Sequence, residues 1–282
     1  MKGYEIIAPI VRPPLCLALR LREACRNATS RVNPRLILLT AHPRSGTTAV
    51  AALLAKHCGL RAFTQTGRWT LADKEIVASR LTMEEVITRN RYAFSFDIMS
   101  AADAGCFLPA MKAALPEMRI IVLVRDPRDM VCSVIERIND YDVSSAEIND
   151  PDYRYLQTDW LGITEEDPLK KLALRWNKWL ETAKSVDGVV YRRYEDFLRN
   201  KPDFIAALAD ELGLPARHDI SDDMNRQMSK HGRDVPIRGA GRWRRMLPAE
   251  HARAIEDICK DGMLAFGYTA EKPTAADAVP GH

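Results

Sequence analysis

Apolar residues follow two rhythms along this chain. Two runs are nearly unbroken, Leu36-Ile37-Leu38-Leu39 and Ile120-Ile121-Val122-Leu123-Val124 after Arg119. Short continuous runs of this kind predict strands buried on both faces, as in a parallel sheet covered by helices. Tyr92–Ile98 alternates and predicts another strand, and Gly188–Phe197 predicts a strand leading into a turn. Between them, helical periodicity predicts helices near 47–58 and over Leu71–Arg80, Met83–Asn90, Ala104–Leu115, Leu169–Ser185, Lys201–Leu212, Ser221–Ser229 and Pro248–Phe266. Thr82 and Glu85 are spaced as a capping box, and Gly59 and Gly213 stand where helices end. Strands alternating with helices predict an α/β fold, a central parallel sheet flanked by helices.

The first strand runs into Thr40-Ala41-His42-Pro43-Arg44-Ser45-Gly46-Thr47-Thr48, and an Ala/Leu-rich helix follows at once. Strand, tight loop and helix is the geometry that points backbone N–H groups and a positive helix end at an anion. Arg44 adds charge, and Thr47 and Thr48 add hydroxyl donors in the first helical turn. A nucleotide-triphosphate loop needs two glycines five apart and a Lys-Ser/Thr pair, and here Gly46 stands alone.

The second apolar run ends in Arg125-Asp126-Pro127-Arg128-Asp129, with Ser133 eight residues after the arginine. Asp126 suits an N-cap and Pro127 a first helical position. Arg125 then stands at the carboxyl end of the strand and Ser133 about two turns into the helix, where α/β folds hold ligands. A charge-assisted contact there contributes roughly 1.5–3 kcal/mol to holding a phosphate.

Pro43-Arg44-Ser45-Gly46-Thr47-Thr48 resembles the 5′-phosphosulfate loop of sulfotransferases, enzymes that use 3′-phosphoadenosine 5′-phosphosulfate (PAPS). Arg125 and Ser133 match the family's 3′-phosphate pair at its spacing. Arg238-Gly239-Ala240-Gly241-Arg242-Trp243-Arg244 is similar to the family segment that closes over that phosphate, although its lysine is missing and its glycines are one residue closer. Tyr194-Glu195-Asp196 resembles the family's Tyr-Glu-Asp after the fourth strand, where the tyrosine lies near the adenine; a core aromatic is the other reading of Tyr194. The resemblance spans roughly residues 36–268 and implies the P-loop-like sulfotransferase fold. It also implies PAPS as co-substrate, no metal, and sulfonyl transfer to a hydroxyl or amine. Arg44, Ser45, Gly46, Thr47 and Thr48 would hold the phosphosulfate, with Arg44 also catalytic. Arg125, Ser133, Arg238 and Gly239 would hold the 3′-phosphate.

The base that takes the acceptor's proton is the main departure. Family members use a histidine after the second strand or a glutamate after the first helix. No histidine stands between His57 and His218, and Gln65 occupies the glutamate's place. Asp97, read as ending the second strand, and Asp103 beyond it are the remaining candidates. Asp97 is favoured, because bacterial members carry Asp-Lys-Ser/Thr-Pro there, although Ile98 replaces the lysine; Asp103 is equally suited to an N-cap. Ala49 stands where cytosolic members carry an adenine-packing tryptophan, which argues against the phenol and steroid subgroup. A non-catalytic nucleotide-binding protein of this fold and a P-loop kinase are the rival readings. The kinase lacks its Gly-Lys-Ser/Thr and its metal-holding acid.

Composition narrows the picture further. At 282 residues, 46% hydrophobic and net charge +3, the chain can bury a large core, and it is too weakly basic to argue for nucleic acid. The expected organisation is an N-terminal helical extension over 1–34, one domain over 35–268, and a flexible tail over 269–282. Within 139–168, nine acidic residues face a single Arg154 with aromatics interleaved, which reads equally as a lid or as a solvated acidic loop. Pro14–Arg22 is too short to span a bilayer and is expected to lie on the domain rather than on an anionic membrane. Six cysteines and six histidines show no metal-ligand spacing, so reduced thiols and no metal are expected, and the N-terminal apolar run shows no signal-peptide cleavage pattern, so a cytoplasmic location is expected. The acceptor is expected to be a small molecule or glycan.

Overall fold

The computed structural model describes residues 24–64, 81–138, 162–221 and 239–270. The expected helices over Leu71–Arg80 and most of Ser221–Ser229 fall outside these residues. So do Arg238, most of the acidic segment, residues 1–23 of the extension and nearly all of the tail.

Five parallel strands form the sheet: β1 Ile37–Ala41, β2 Ala62–Phe63, β3 Ile98–Ser100, β4 Arg119–Val124 and β5 Val189–Arg193, in the order β2-β3-β1-β4-β5. All five residues of β1 are buried, as its unbroken apolar run requires of the central strand of a covered sheet. The helices are α1 Thr47–Cys58, α2 Met83–Arg89, α3 Leu108–Ala114, α4 Pro127–Ile138, α5 Pro168–Lys184, α6 Tyr194–Arg199, α7 Lys201–Glu211, α8 Trp243–Met246 and α9 Ala249–Ala265. A short helical stretch over 24–29 precedes the sheet, and the Asn27 side chain accepts from the Tyr92 N–H at 2.9 Å.

Local signals in the sequence account for the helix ends. Thr82 Oγ1 accepts from the Glu85 N–H while Glu85 Oε2 accepts from the Thr82 N–H, a complete capping box. Asp126 Oδ1 accepts from the Arg128 N–H at the start of α4. Asp167 and Asn200 cap α5 and α7 in the same way. Trp176 and Trp179 on α5 are buried in the core, packed with α9 and the turn after β3. Among the described residues, no helix is long and apolar enough to cross a membrane, and no cluster of metal-ligating side chains occurs.

The strand expected over Tyr92–Ile98 is corrected. Ala93–Ser95 is a 3-10 turn, and β3 begins only at Ile98. The alternation there reports an aromatic cluster instead: Tyr92 and Phe96 meet edge-on at 5.2 Å, and both pack on Phe63. That Phe63 lies in the two-residue edge strand β2. Asp103 is no N-cap either, because the 3-10 helix after β3, Ala102–Phe107, begins one residue before it.

Candidate active site

β1 and β4 are neighbours in register, so the turns that follow them open side by side at the carboxyl rim of the sheet. In the first turn Arg44 and Gly46 both have left-handed backbones, φ 72° and 82°. Left-handed residues so close together curl a loop and turn its N–H groups toward a common centre. Gly46 is the N-cap of α1 and supplies no capping side chain, and the first turn holds no acidic residue. The positive end of the helix is thereby left for an anion. Ser45 Oγ is buried with no hydrogen-bond partner among the described residues, while Arg44 itself is exposed.

The second turn locks onto the first. Arg125 is buried, and its Nη1 donates to the Arg44 carbonyl at 2.5 Å. Its guanidinium lies 5.1 Å from the centre of the Tyr194 ring, and its own carbonyl accepts from Trp176 Nε1 at 3.1 Å. Tyr194 in turn lies under the loop: a Cβ on Gly46 would stand 2.2 Å from its Cε2. Burial raises the pKa of the Tyr194 hydroxyl. Tyr194 is thus a shelf for Gly46 and Arg125, a contact its position in the sequence did not foretell. Ser133 is buried on α4, one turn beyond Asp129.

Ion pairs and hydrogen bonds tie the second turn and α4 to α6, α8 and α9. Arg128 is buried between Asp126 (Nη2 to Oδ2, 2.7 Å) and Glu256 (Nη1 to Oε1, 2.5 Å), with its guanidinium 3.9 Å from the Trp243 ring centre. Burial opposes its charge, but the two carboxylates outweigh that and hold its pKa above the usual value. Asp129 accepts from the Gly241 N–H at 2.5 Å and the Trp243 N–H at 3.0 Å, and Glu136 pairs with Arg242. Gly239 is exposed at the start of this described segment. Glu195 accepts from the Asp126 N–H and from the Tyr268 hydroxyl, and burial raises its pKa. The sequence marks Asp126 and Asp129 only as parts of the charged run Arg125–Asp129, and Glu195 only within Tyr194-Glu195-Asp196; nothing local marks Glu136 or Glu256.

His42 sits at the base of the loop. It is buried, its Nδ1 donates to the Pro43 carbonyl at 3.2 Å, and its Nε2 has no partner among the described residues. Burial, helped by the nearby Arg175 charge, lowers its pKa to about 3, so the ring is neutral. The thiol beside Ser133 is no nucleophile: burial first, and then Asp129, push Cys132 up to about 12.

The two carboxylates expected near the reaction separate. Asp97 stands at the amino edge of the sheet, where its carbonyl accepts from the Ile37 N–H at the start of β1. Its side chain accepts from the Arg61 N–H at 2.9 Å and pairs with the Arg61 guanidinium. The length of β1, roughly 13 Å at the usual strand rise, lies between Asp97 and the Arg44 loop. The expectation that Asp97 ends its strand at the rim is therefore corrected. Asp103 belongs to the 3-10 turn that leaves the carboxyl end of β3, one residue after Ala102, whose carbonyl accepts from Thr40 Oγ1. The rim thus carries Arg44, Ser45, Gly46, Thr47, Thr48, Arg125, Ser133, Tyr194 and the backbone of Asp103.

A family model described as the sulfotransferase domain matches residues 34–267. The fold is similar to that of a sulfotransferase from Mycobacterium avium (TM-score 0.53, 13% identity, covering 92% of this chain and 83% of that one). It is also similar to one from Alicyclobacillus acidocaldarius (TM-score 0.52, 12% identity, 85% and 98%). A mouse sulfotransferase solved with PAP gives a TM-score of 0.50 at 14% identity, over 86% and 89% of the two chains. At these identities the likeness is one of fold. No curated protein matches the chain by sequence.

Proposed function

Since this chain belongs to the sulfotransferase domain family, we propose that it moves a sulfonyl group from PAPS to a hydroxyl or amine of a carbohydrate, lipid or small metabolite. One observation carries the reading: Arg125, leaving β4, reaches the Arg44 carbonyl in the loop leaving β1. Two anion-seeking turns therefore share one rim, as a ligand charged at both ends requires. The residues fit such a ligand. The start of α1 has neither a capping side chain nor a carboxylate, Ser45 Oγ is buried and unpartnered among the described residues, and Ser133 lies about two turns along α4.

PAPS would supply an activated sulfonyl group on a phosphate leaving group. The N–H groups of the loop and the first turn of α1, with Arg44, would stabilise the charge that grows on the leaving phosphate oxygens. Preorganised donors of this kind do the largest share of such work, because they need no reorganisation as charge develops. Arg125 would hold the loop and the distant phosphate together. Neutral His42 supports the loop without adding charge beneath it. Asp103, on the reacting rim, would accept the acceptor's proton.

Radiolabelled PAPS incubated with the full chain and a mixed acceptor panel tests the reading. Label should pass to an acceptor, and adenosine 3′,5′-bisphosphate, but not ATP, should raise the melting temperature. A chain stabilised by neither the bisphosphate nor PAPS would overturn it.

A further inference from the structure

Asp129, Ser133 and Glu136 follow the spacing i, i+4, i+7 on α4 and so share one face, over roughly 10 Å of helix. Ser133 sits between the two carboxylates. The segment Gly241-Arg242-Trp243 is fastened to both of them. The Gly241 and Trp243 N–H groups donate to the two oxygens of Asp129, and Arg242 pairs with Glu136. Arg128 adds a cation–π contact to Trp243 from the same helix. The segment therefore straddles the serine, in a helix stretch where all of Asp129, Ser133 and Glu136 are buried.

Two carboxylates within a turn or so of a phosphate-binding serine are a liability, because like charges repel strongly where water is excluded. The straddling segment answers both charges at once, one with two backbone donors and the other with a guanidinium. We infer that Asp129 and Glu136 are positioning residues for anion binding at Ser133: they hold Gly241–Trp243 across the serine, and that segment in turn neutralises them. Binding of an anion at Ser133 is then coupled to the docking of a segment more than a hundred residues away. The inference rests on the proposed reading, in which Ser133 takes the 3′-phosphate of the nucleotide.

The sign of the effect makes this testable. Were the carboxylates only nearby charges, removing either would tighten phosphate binding. As anchors, they should weaken it on removal. Isothermal titration of the full chain with adenosine 3′,5′-bisphosphate and with adenosine 5′-phosphosulfate, which lacks the 3′-phosphate, reads both. Asp129→Asn and Glu136→Gln should each lower affinity for the bisphosphate by about tenfold and leave that for the phosphosulfate within about twofold. Should Asp129→Asn not fold, Glu136→Gln carries the test alone. Unchanged or tighter bisphosphate binding overturns the inference, as does an equal loss for both ligands. A wild-type chain that binds neither ligand overturns the sulfotransferase reading itself, and this inference with it.

Discussion

Arg125 Nη1 donates to the carbonyl oxygen of Arg44, 81 residues earlier, across 2.5 Å. Arg44 has a left-handed backbone that non-glycine residues adopt at a cost, commonly about 1–2 kcal/mol. The buried guanidinium satisfies a carbonyl that this conformation turns toward β4. It also brings a fixed positive charge to the loop. One residue thus stabilises the shape of the loop and its field.

A lysine in place of Arg125 would keep the charge and lose the planar fork, which serves the Arg44 carbonyl and the Tyr194 face together. Arg125→Lys is expected to weaken adenosine 3′,5′-bisphosphate binding by roughly 1.5–3 kcal/mol, on the order of ten- to a hundredfold. Calorimetric titration measures it. Affinity equal to wild type would show that the fork is dispensable.

Gly46 meets two demands, a φ of 82° and a Tyr194 ring edge 2.2 Å from where a Cβ would stand. Gly46→Ala is expected to destabilise the fold by about 1–3 kcal/mol and to abolish nucleotide binding. Urea unfolding followed by tryptophan fluorescence reads the first effect and thermal shift with the bisphosphate the second. A stability loss of only a few tenths of a kcal/mol would mean that Tyr194 yields freely.

His42 makes stability depend on acid. Its folded pKa of about 3 lies below the ordinary 6.5, so between those values the unfolded chain binds more protons and the folded state loses stability as pH falls. From pH 7 to pH 5 this amounts to about 2 kcal/mol, by the usual linkage. His42→Phe should flatten the unfolding free energy over that interval, whatever it does at pH 7. Parallel pH profiles for the two proteins would refute the assignment.

Arg128 is held by Asp126, Glu256 and the face of Trp243, all in buried surroundings. Arg128→Met would strand two carboxylates, so a loss of about 3–5 kcal/mol is expected. Chemical denaturation would measure it. A loss below about 1 kcal/mol would mean that water reaches and solvates these acids.

Much of the site was legible one residue after another. The strand, loop and helix through Leu36–Cys58, the cap at Asp126 and the spacing of Arg125 to Ser133 are local facts. Each depends on hydrogen bonds and dihedral preferences within a few residues, so composition and order suffice to reveal them. The placement of Asp97 was not of this kind. Whether it begins or ends a strand turned on the difference between Tyr92–Ile98 and Ile98–Ser100, and an alternation produced by aromatic packing looks the same as one produced by a pleat.

The pairings across long stretches of chain belong to the folded molecule alone: Arg125 with Arg44, Asp129 with Gly241 and Trp243, Glu136 with Arg242, Tyr194 with Gly46. A carboxylate carries no mark of its partner in sequence. The partner is fixed by strand order and by which helix faces meet, because a buried charge must find whichever opposite charge or N–H the packed core brings within reach.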